Sequence, residues 1–208
     1  MAEAKAGKRG GGGRRSLAYG AAGAGVLALL GAGWFLYRER SVEKPNYRVV
    51  EEDGEFELRE YPELLVAETV VQGERDHGLD QGFARLTDYI FARHRDGETV
   101  AMTAPVLSSP APDGGWLTRF VMPAYYRRDE LPEPDPDISI ATIPPRRVAA
   151  LRFHGGPDSA ALAAREGQLE SWVGAKKLKA TGPAERAFYN SPRIPASLRR
   201  AEVLIPVE

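Results

Sequence analysis

The stretch LLVAETVVQGERDHGLDQGFARLTDYI, residues 64–90, changes its period part-way along. Leu64 to Val71 is a short apolar run rich in β-branched residues, as a strand is. Beyond it Leu79, Phe83, Leu86 and Ile90 recur at helical spacing and make one apolar stripe, which predicts a helix between His77 and His94. Upstream, Tyr47 to Glu51 and Phe56 to Glu60 alternate apolar and polar residues around Asp53-Gly54, a hairpin signal. Downstream, Asp96-Gly97 closes the helix, and strands follow at about 99–108 and 116–122 with a turn-rich Pro110 to Gly115 between them. After a connection carrying Pro132, Pro134 and Pro136 the order starts again. Strands are expected at 138–143 and 147–153, flanking Pro144-Pro145, then a helix at about 158–173 with Ala161, Leu162, Leu169 and Trp172 as its apolar positions. Closing strands are expected at 188–190 and 201–207. Strands, helix, strands, repeated once, predict a duplicated α+β unit rather than a doubly wound parallel sheet.

With 208 residues the chain has room for one ordinary domain and an appendage. Its 43% hydrophobic and 27% charged residues exclude wholesale disorder. The lack of cysteine removes disulfides, zinc ribbons, iron–sulfur clusters and thiol catalysis together. The net charge of −1 hides an asymmetry: seven basic against two acidic residues in 1–40 leave +5 there and −6 in the remainder. An acidic body is a poor match for a phosphate backbone, so no nucleic-acid partner is expected.

The appendage reads as a membrane anchor. Residues 17–37, LAYGAAGAGVLALLGAGWFLY, hold 21 residues without a charge; a helix of that length is about 31 Å long, close to the roughly 30 Å of a bilayer's hydrocarbon core. Trp34, Phe35 and Tyr37 gather at one end and Tyr19 lies near the other, as interfacial aromatics do. Lys5, Lys8, Arg9, Arg14 and Arg15 precede the span, whereas Arg38, Arg40 and Lys44 alternate with Glu39 and Glu43 after it. The positive-inside bias then puts residues 1–16, a flexible basic tail, in the cytoplasm and the remaining chain on the far, periplasmic side of a bacterial-type membrane. Two rivals stay open, a twin-arginine signal at Arg14-Arg15 and a cleaved secretory segment. Against cleavage, the span is longer than the usual ~7–15-residue apolar region of a signal peptide, and it ends in bulky WFLY. Residues 38–46 form a linker, and 47–208 the soluble domain.

No catalytic signature is present: no G-x-S-x-G, H-E-x-x-H or P-loop, and no glycine fingerprint after a strand. His77, His94 and His154 lack the i, i+4 spacing of a helical metal site. Neither a catalytic nor a metal-ligating set is assigned, and an enzyme is not expected.

Five blocks carry a resemblance: Tyr61-Pro-Glu-Leu-Leu-Val-Ala-Glu, Gly82-Phe-Ala-Arg-Leu-Thr-Asp-Tyr-Ile, Ala101-Met-Thr-Ala-Pro-Val, Phe120-Val-Met-Pro and Tyr189-Asn-Ser-Pro. In order and spacing, down to Glu202-Val before the last strand, they resemble the SOUL haem-binding family over nearly all of 45–208. The resemblance implies a distorted antiparallel β-barrel with two flanking helices, built from two pseudo-symmetric halves and here preceded by the transmembrane helix. It also implies non-covalent binding of haem or another tetrapyrrole in a shallow apolar groove formed by the first helix and a loop near the end of the domain, for buffering, sensing or transfer. On this chain that groove would take Phe83 and Tyr89 as wall with Arg85 and Arg93 as donors, and Phe188, Tyr189 and Arg193 from the later part. Two helix positions that are basic in haem-binding relatives are Asp80 and Asp88 here. The alternative reading is therefore an interaction or small-ligand module that keeps the fold without haem.

Overall fold

The computed structural model describes residues 42–208 apart from 95, 156–157 and 192–193. The basic tail 1–16, the apolar span 17–37, the linker as far as 41, and Arg193 lie outside the described residues.

Among the described residues, nine strands form a single antiparallel sheet and two α-helices interrupt them in the order β1 (Arg48–Asp53), β2 (Phe56–Tyr61), β3 (Leu64–Val71), α1 (Arg75–Ile90), β4 (Val106–Pro110), β5 (Trp116–Val121), β6 (Ser139–Ile143), β7 (Arg146–His154), α2 (Ser159–Ala175), β8 (Glu185–Phe188) and β9 (Arg200–Val207). Their order across the sheet is β1-β2-β7-β9-β8-β4-β5-β3-β6. Leaving β1 aside, this order is a palindrome under exchange of β2–β5 with β6–β9. Each half runs two strands, a helix and two strands, and places its last strand between the two that flank the helix; β4 of one half pairs with β8 of the other. The duplication read from the sequence is thus written into the strand order.

The expected distorted barrel is a curled half-barrel sheet with β1 and β6 as its edges. Its curvature follows from packing. Val148 of β7 and Val66 of β3 share one buried cluster with Tyr61, Leu64, Leu107, Val121 and Leu204. Five strand steps separate β7 from β3, which on a flat sheet would be about 24 Å. Only curling brings the two together, and it creates an interior face and an outer face. The helices cover the outer face, α2 over Leu151, Phe153, Val203 and Ile205, and α1 over Ala67, Val106 and Phe120.

The two helices seat differently. Under α1, a Cβ on Gly82 would lie 2.5 Å from Thr118 Oγ1 and one on Gly78 would lie 2.7 Å from Trp116 Cβ, so β5 approaches the helix backbone at these positions. Helix α2 starts at Asp158, whose carboxylate accepts from Ala161 N at 2.8 Å, and it lays Leu162, Leu169, Trp172 and Val173 on the sheet. Helix α1 ends at Ile90, short of the expected His94. Phe91 caps it, and Ala92 turns into the left-handed region at φ 52°.

The expected strand 99–108 begins only at Val106, because the Met102-Thr-Ala-Pro block is occupied otherwise. Thr103 Oγ1 donates to Val121 O at 2.5 Å, Thr103 bridges Glu43, and Ala104 N donates to Glu43 O at 2.9 Å. The block ties the incoming chain to the end of β5. From there Val42 and Tyr47 pack on the interior cluster.

Candidate functional site

On the interior face, buried charged side chains pack beside the apolar cluster. Arg59 and Glu202 are both 0% exposed. Arg59 Nη1 donates to Glu202 Oε2 at 2.6 Å, Nη2 to Glu202 Oε1 at 3.1 Å and Nε to Glu57 Oε2 at 2.7 Å. Arg152 and Arg200 also donate to Glu202 Oε1, at 3.3 and 2.6 Å, and the Tyr189 hydroxyl donates to Oε2 at 2.8 Å. The Tyr47 ring lies under the Arg59 guanidinium, 4.4 Å from ring centre to Cζ. Burial alone would push the Glu202 carboxyl up. The hydrogen bonds and positive charge of Arg59, reinforced by Arg200, outweigh it and hold the group down at about 2. Burial raises the Tyr61 hydroxyl to about 12 and Tyr189 well above its ordinary range. A second set, Arg146 paired bidentately with Glu185 at 2.6 and 2.9 Å and Arg119 with Glu68 at 2.7 Å, occupies the same face. Each buried charge has partners, as burial demands.

The outer face between the helices has a different character. Register places Phe120, Val106, Phe188 and Ala201 in one row across β5, β4, β8 and β9. Phe83 of α1 packs on Phe120 edge to face at 5.4 Å, and both Phe83 and Phe188 are half-buried. The next row, Thr118, Ser108 and Arg186, is polar. The Arg186 guanidinium sits 5.0 Å above the Trp116 ring and donates through Nη2 to Glu166 Oε2 at 3.0 Å. Its Nε and Nη1 are buried and have no hydrogen-bond partner, and Thr118 Oγ1 is in the same state. Buried donors left open in this way are uncommon and call for an acceptor. Phe120, Val106 and Ala201 of the apolar row are themselves buried; what a flat apolar ring system could reach is the half-buried pair Phe83 and Phe188, beside the half-buried Arg186.

Of the residues predicted from sequence, Phe83 and Phe188 share this outer surface. The wall expected of Tyr89 and Tyr189 is not formed by them. Tyr89 is core under α1, its hydroxyl donating to Pro132 O at 2.7 Å, and Tyr189 belongs to the interior cluster with Glu202. Tyr89 lies deeper in the same cluster under α1 against which Phe83 packs, whereas Tyr189, next after Phe188, takes the opposite face of the sheet by strand alternation. Arg85 turns away as well, toward Thr69 Oγ1 at 3.5 Å and Asp137 at 3.8 Å. Arg93 pairs with Asp88 at 2.9 Å, and His94 faces the same carboxylate at 3.4 Å. Asp80 is exposed, as are His77 and His154.

Arg186 and Trp116 are the residues that sequence reading passed over. The alternation in Glu185-Arg-Ala-Phe already put Arg186 on the same side as Phe188. A separate shallow groove of about 640 Å³ lies where α2 meets the β1–β2 hairpin, lined by Phe56, Ala164, Arg165, Gly167, Gln168 and Ser171. Among the described residues no cluster of His, Asp and Glu is arranged to hold a metal ion.

The family described as SOUL heme-binding protein matches residues 42–206. No significant match was found among curated proteins. Among solved structures, the C-terminal domain of EcmrR shares 14% identity with a TM-score of 0.55, over 78% of this chain and 98% of that one. EcmrR in a DNA complex aligns at 14% identity and a TM-score of 0.56, over 94% of this chain and 70% of that one. A hydrolase from Listeria innocua aligns at 10% identity and a TM-score of 0.50, covering 76% and 94% of the two chains. At these identities the likeness is one of fold.

Proposed function

Because the chain belongs to the SOUL heme-binding protein family, we propose that it binds a tetrapyrrole non-covalently on the outer face between α1 and α2, and does so as a membrane-anchored protein. The observation that carries the site is the pair of half-buried rings Phe83 and Phe188, flanking the buried Phe120 and Val106, with the half-buried Arg186 one row away. Phe83 and Phe188 would hold the ring, and Arg186 would meet a propionate at the ring's edge. Bound haem would supply redox-active iron; the protein's share is to desolvate the macrocycle and fix its orientation. The residues in this row include no histidine, so ring contact rather than iron ligation carries the affinity. The proposed role is buffering, sensing or transfer, without catalysis.

The charge-free 17–37 stretch and its flanking basic residues support a single span, with the N-terminus cytoplasmic and the domain on the periplasmic side. Among the described residues no helix is long and apolar enough to cross a membrane. The −6 carried by the body speaks against a nucleic-acid partner.

Titrating hemin, and separately iron-free protoporphyrin, into the purified chain tests the site. The expected result is a Soret shift with hemin, comparable affinity for the iron-free ring, and at least a tenfold loss with Phe188→Ser, about 1.4 kcal/mol. A second reading, a module of this fold that holds another ligand, draws on Asp80, exposed on α1, and on Asp88, already engaged by Arg93. The absence of any Soret change at micromolar protein would favour it.

A further inference from the structure

Three large apolar or aromatic side chains stand exposed at one end of the sheet. Tyr125 (66% exposed) follows β5, Leu198 (63%) precedes β9, and Phe91 (45%) caps α1. Register puts them at the same end. Strand β5 finishes at Val121, next to the start of β3, and β9 begins at Arg200, opposite the last residue of β7. Helix α1 runs the same way as β5, with Gly78 over Trp116, Gly82 over Thr118 and Phe83 on Phe120, so Phe91 comes out beyond the Val121 end.

The incoming chain is pinned here too. Glu43 accepts from Ala104 N at 2.9 Å through its carbonyl and from Ala124 N at 2.8 Å through its carboxylate, one residue before Tyr125. Glu43 follows the last residue of the charge-free 17–37 stretch by six positions, a reach of at most about 21 Å. The Tyr125 ring lies tilted against Tyr126, 4.7 Å between centres, and is followed by exposed Arg127, which pairs with Asp129 at 3.5 Å, and exposed Arg128. An exposed aromatic beside arginines suits the headgroup level of a bilayer, ring inward and guanidinium outward. Among the described residues, the exposed large apolar side chains at the opposite end are Val49 and Val50 of β1 and Val70 of β3.

We infer that this end of the domain is a lipid-docking surface, with Phe91, Tyr125 and Leu198 seated in the interface of the bilayer that the 17–37 segment crosses. The inference rests on the anchor reading above. It has a consequence for the proposed ligand. The half-buried Phe188 is the last residue of β8 before this end, so an apolar macrocycle dissolved in the bilayer would reach it without crossing water. The net −6 of the body provides no pull toward anionic lipid. Insertion of side chains, insensitive to salt, is the expected mode.

The chain has no cysteine, so single labels report cleanly. Phe91→Cys, Tyr125→Cys and Leu198→Cys, with Val49→Cys and Val70→Cys as the opposite end, are labelled with a polarity-sensitive dye in the full chain. Each is reconstituted into phosphatidylcholine vesicles with and without brominated acyl chains. The expected result is blue-shifted emission and bromine quenching at 91, 125 and 198, and neither at 49 and 70. Flotation of the vesicles with the protein, but equal spectra at both ends, would overturn the docking surface and leave the anchor standing. Failure of the chain to float with the vesicles after alkaline washing would overturn both.

Discussion

The two halves share a topology and little else. In the first, α1 lies so close to β5 that two of its contact positions are glycine, and it turns Phe83 toward the sheet's midline. In the second, α2 stands off on Leu162, Leu169 and Trp172, while Gly167 and Gly174 on its length have nothing within 4 Å. The interior follows the same asymmetry. The strands of the second half and β2 carry the dense network around Arg59 and Glu202, whereas Glu68 and Arg119 make a sparser set in the first. Duplication fixed the path of the chain. The buried ionic lock joins Arg59 and Glu57 of the first half to Glu202, Arg152 and Arg200 of the second, and the outer surface joins Phe83 and Phe120 of the first to Phe188 of the second.

The sharpest way to break the comparison is Arg59→Met. It leaves Glu202 and Glu57 buried with fewer partners and is expected to cost about 3–5 kcal/mol, since removing one member of a buried pair strands the other. Urea unfolding reads it, and the double variant Arg59→Met with Glu202→Leu should recover part of the loss. Changing Arg119 to Met in the first half should cost clearly less.

Acid acts on the same lock without mutation. The Glu202 carboxyl is depressed in the folded state from an ordinary 4.5 to about 2. Its contribution is therefore full above the unfolded value and disappears as pH falls from about 4.5 through 2, a loss on the order of 3 kcal/mol. Tyr61, raised to about 12, works in the opposite sense. The stability it lends is present below its ordinary value of 10 and is lost as pH rises through 12. Thermal unfolding followed against pH should show both shoulders, and the acid one should vanish in the double variant.

The smallest effects carry opposite signs in the two helices. Gly82→Ala drives a methyl onto Thr118 and should destabilise by about 1–3 kcal/mol. Gly167→Ala meets open space and should stabilise by about 0.5–1 kcal/mol through helix propensity alone. Equal shifts in melting temperature for the two variants would erase the distinction drawn between α1 and α2.

Much of this was legible before any coordinates. The change of period at residues 64–90, its recurrence after the proline-rich connection and the Met102-Thr-Ala-Pro block determined the duplicated α+β plan and the family, because period and turn chemistry are local properties of the chain. Phe83 and Phe188 were legible as apolar positions at helical and strand spacing. The sequence could not separate them from Tyr89, which lies deeper in the same cluster, or from Tyr189, which takes the opposite face of the sheet. Nor could it show that Glu57, Arg59 and Glu202, which alternate like solvent-facing residues, are sealed inside, or that Arg186 ends beside Phe188 with donors left open. Those outcomes depend on the curl of the sheet. A strand's alternation assigns its side chains to two faces, and only the closing of one face upon itself decides which of them is interior.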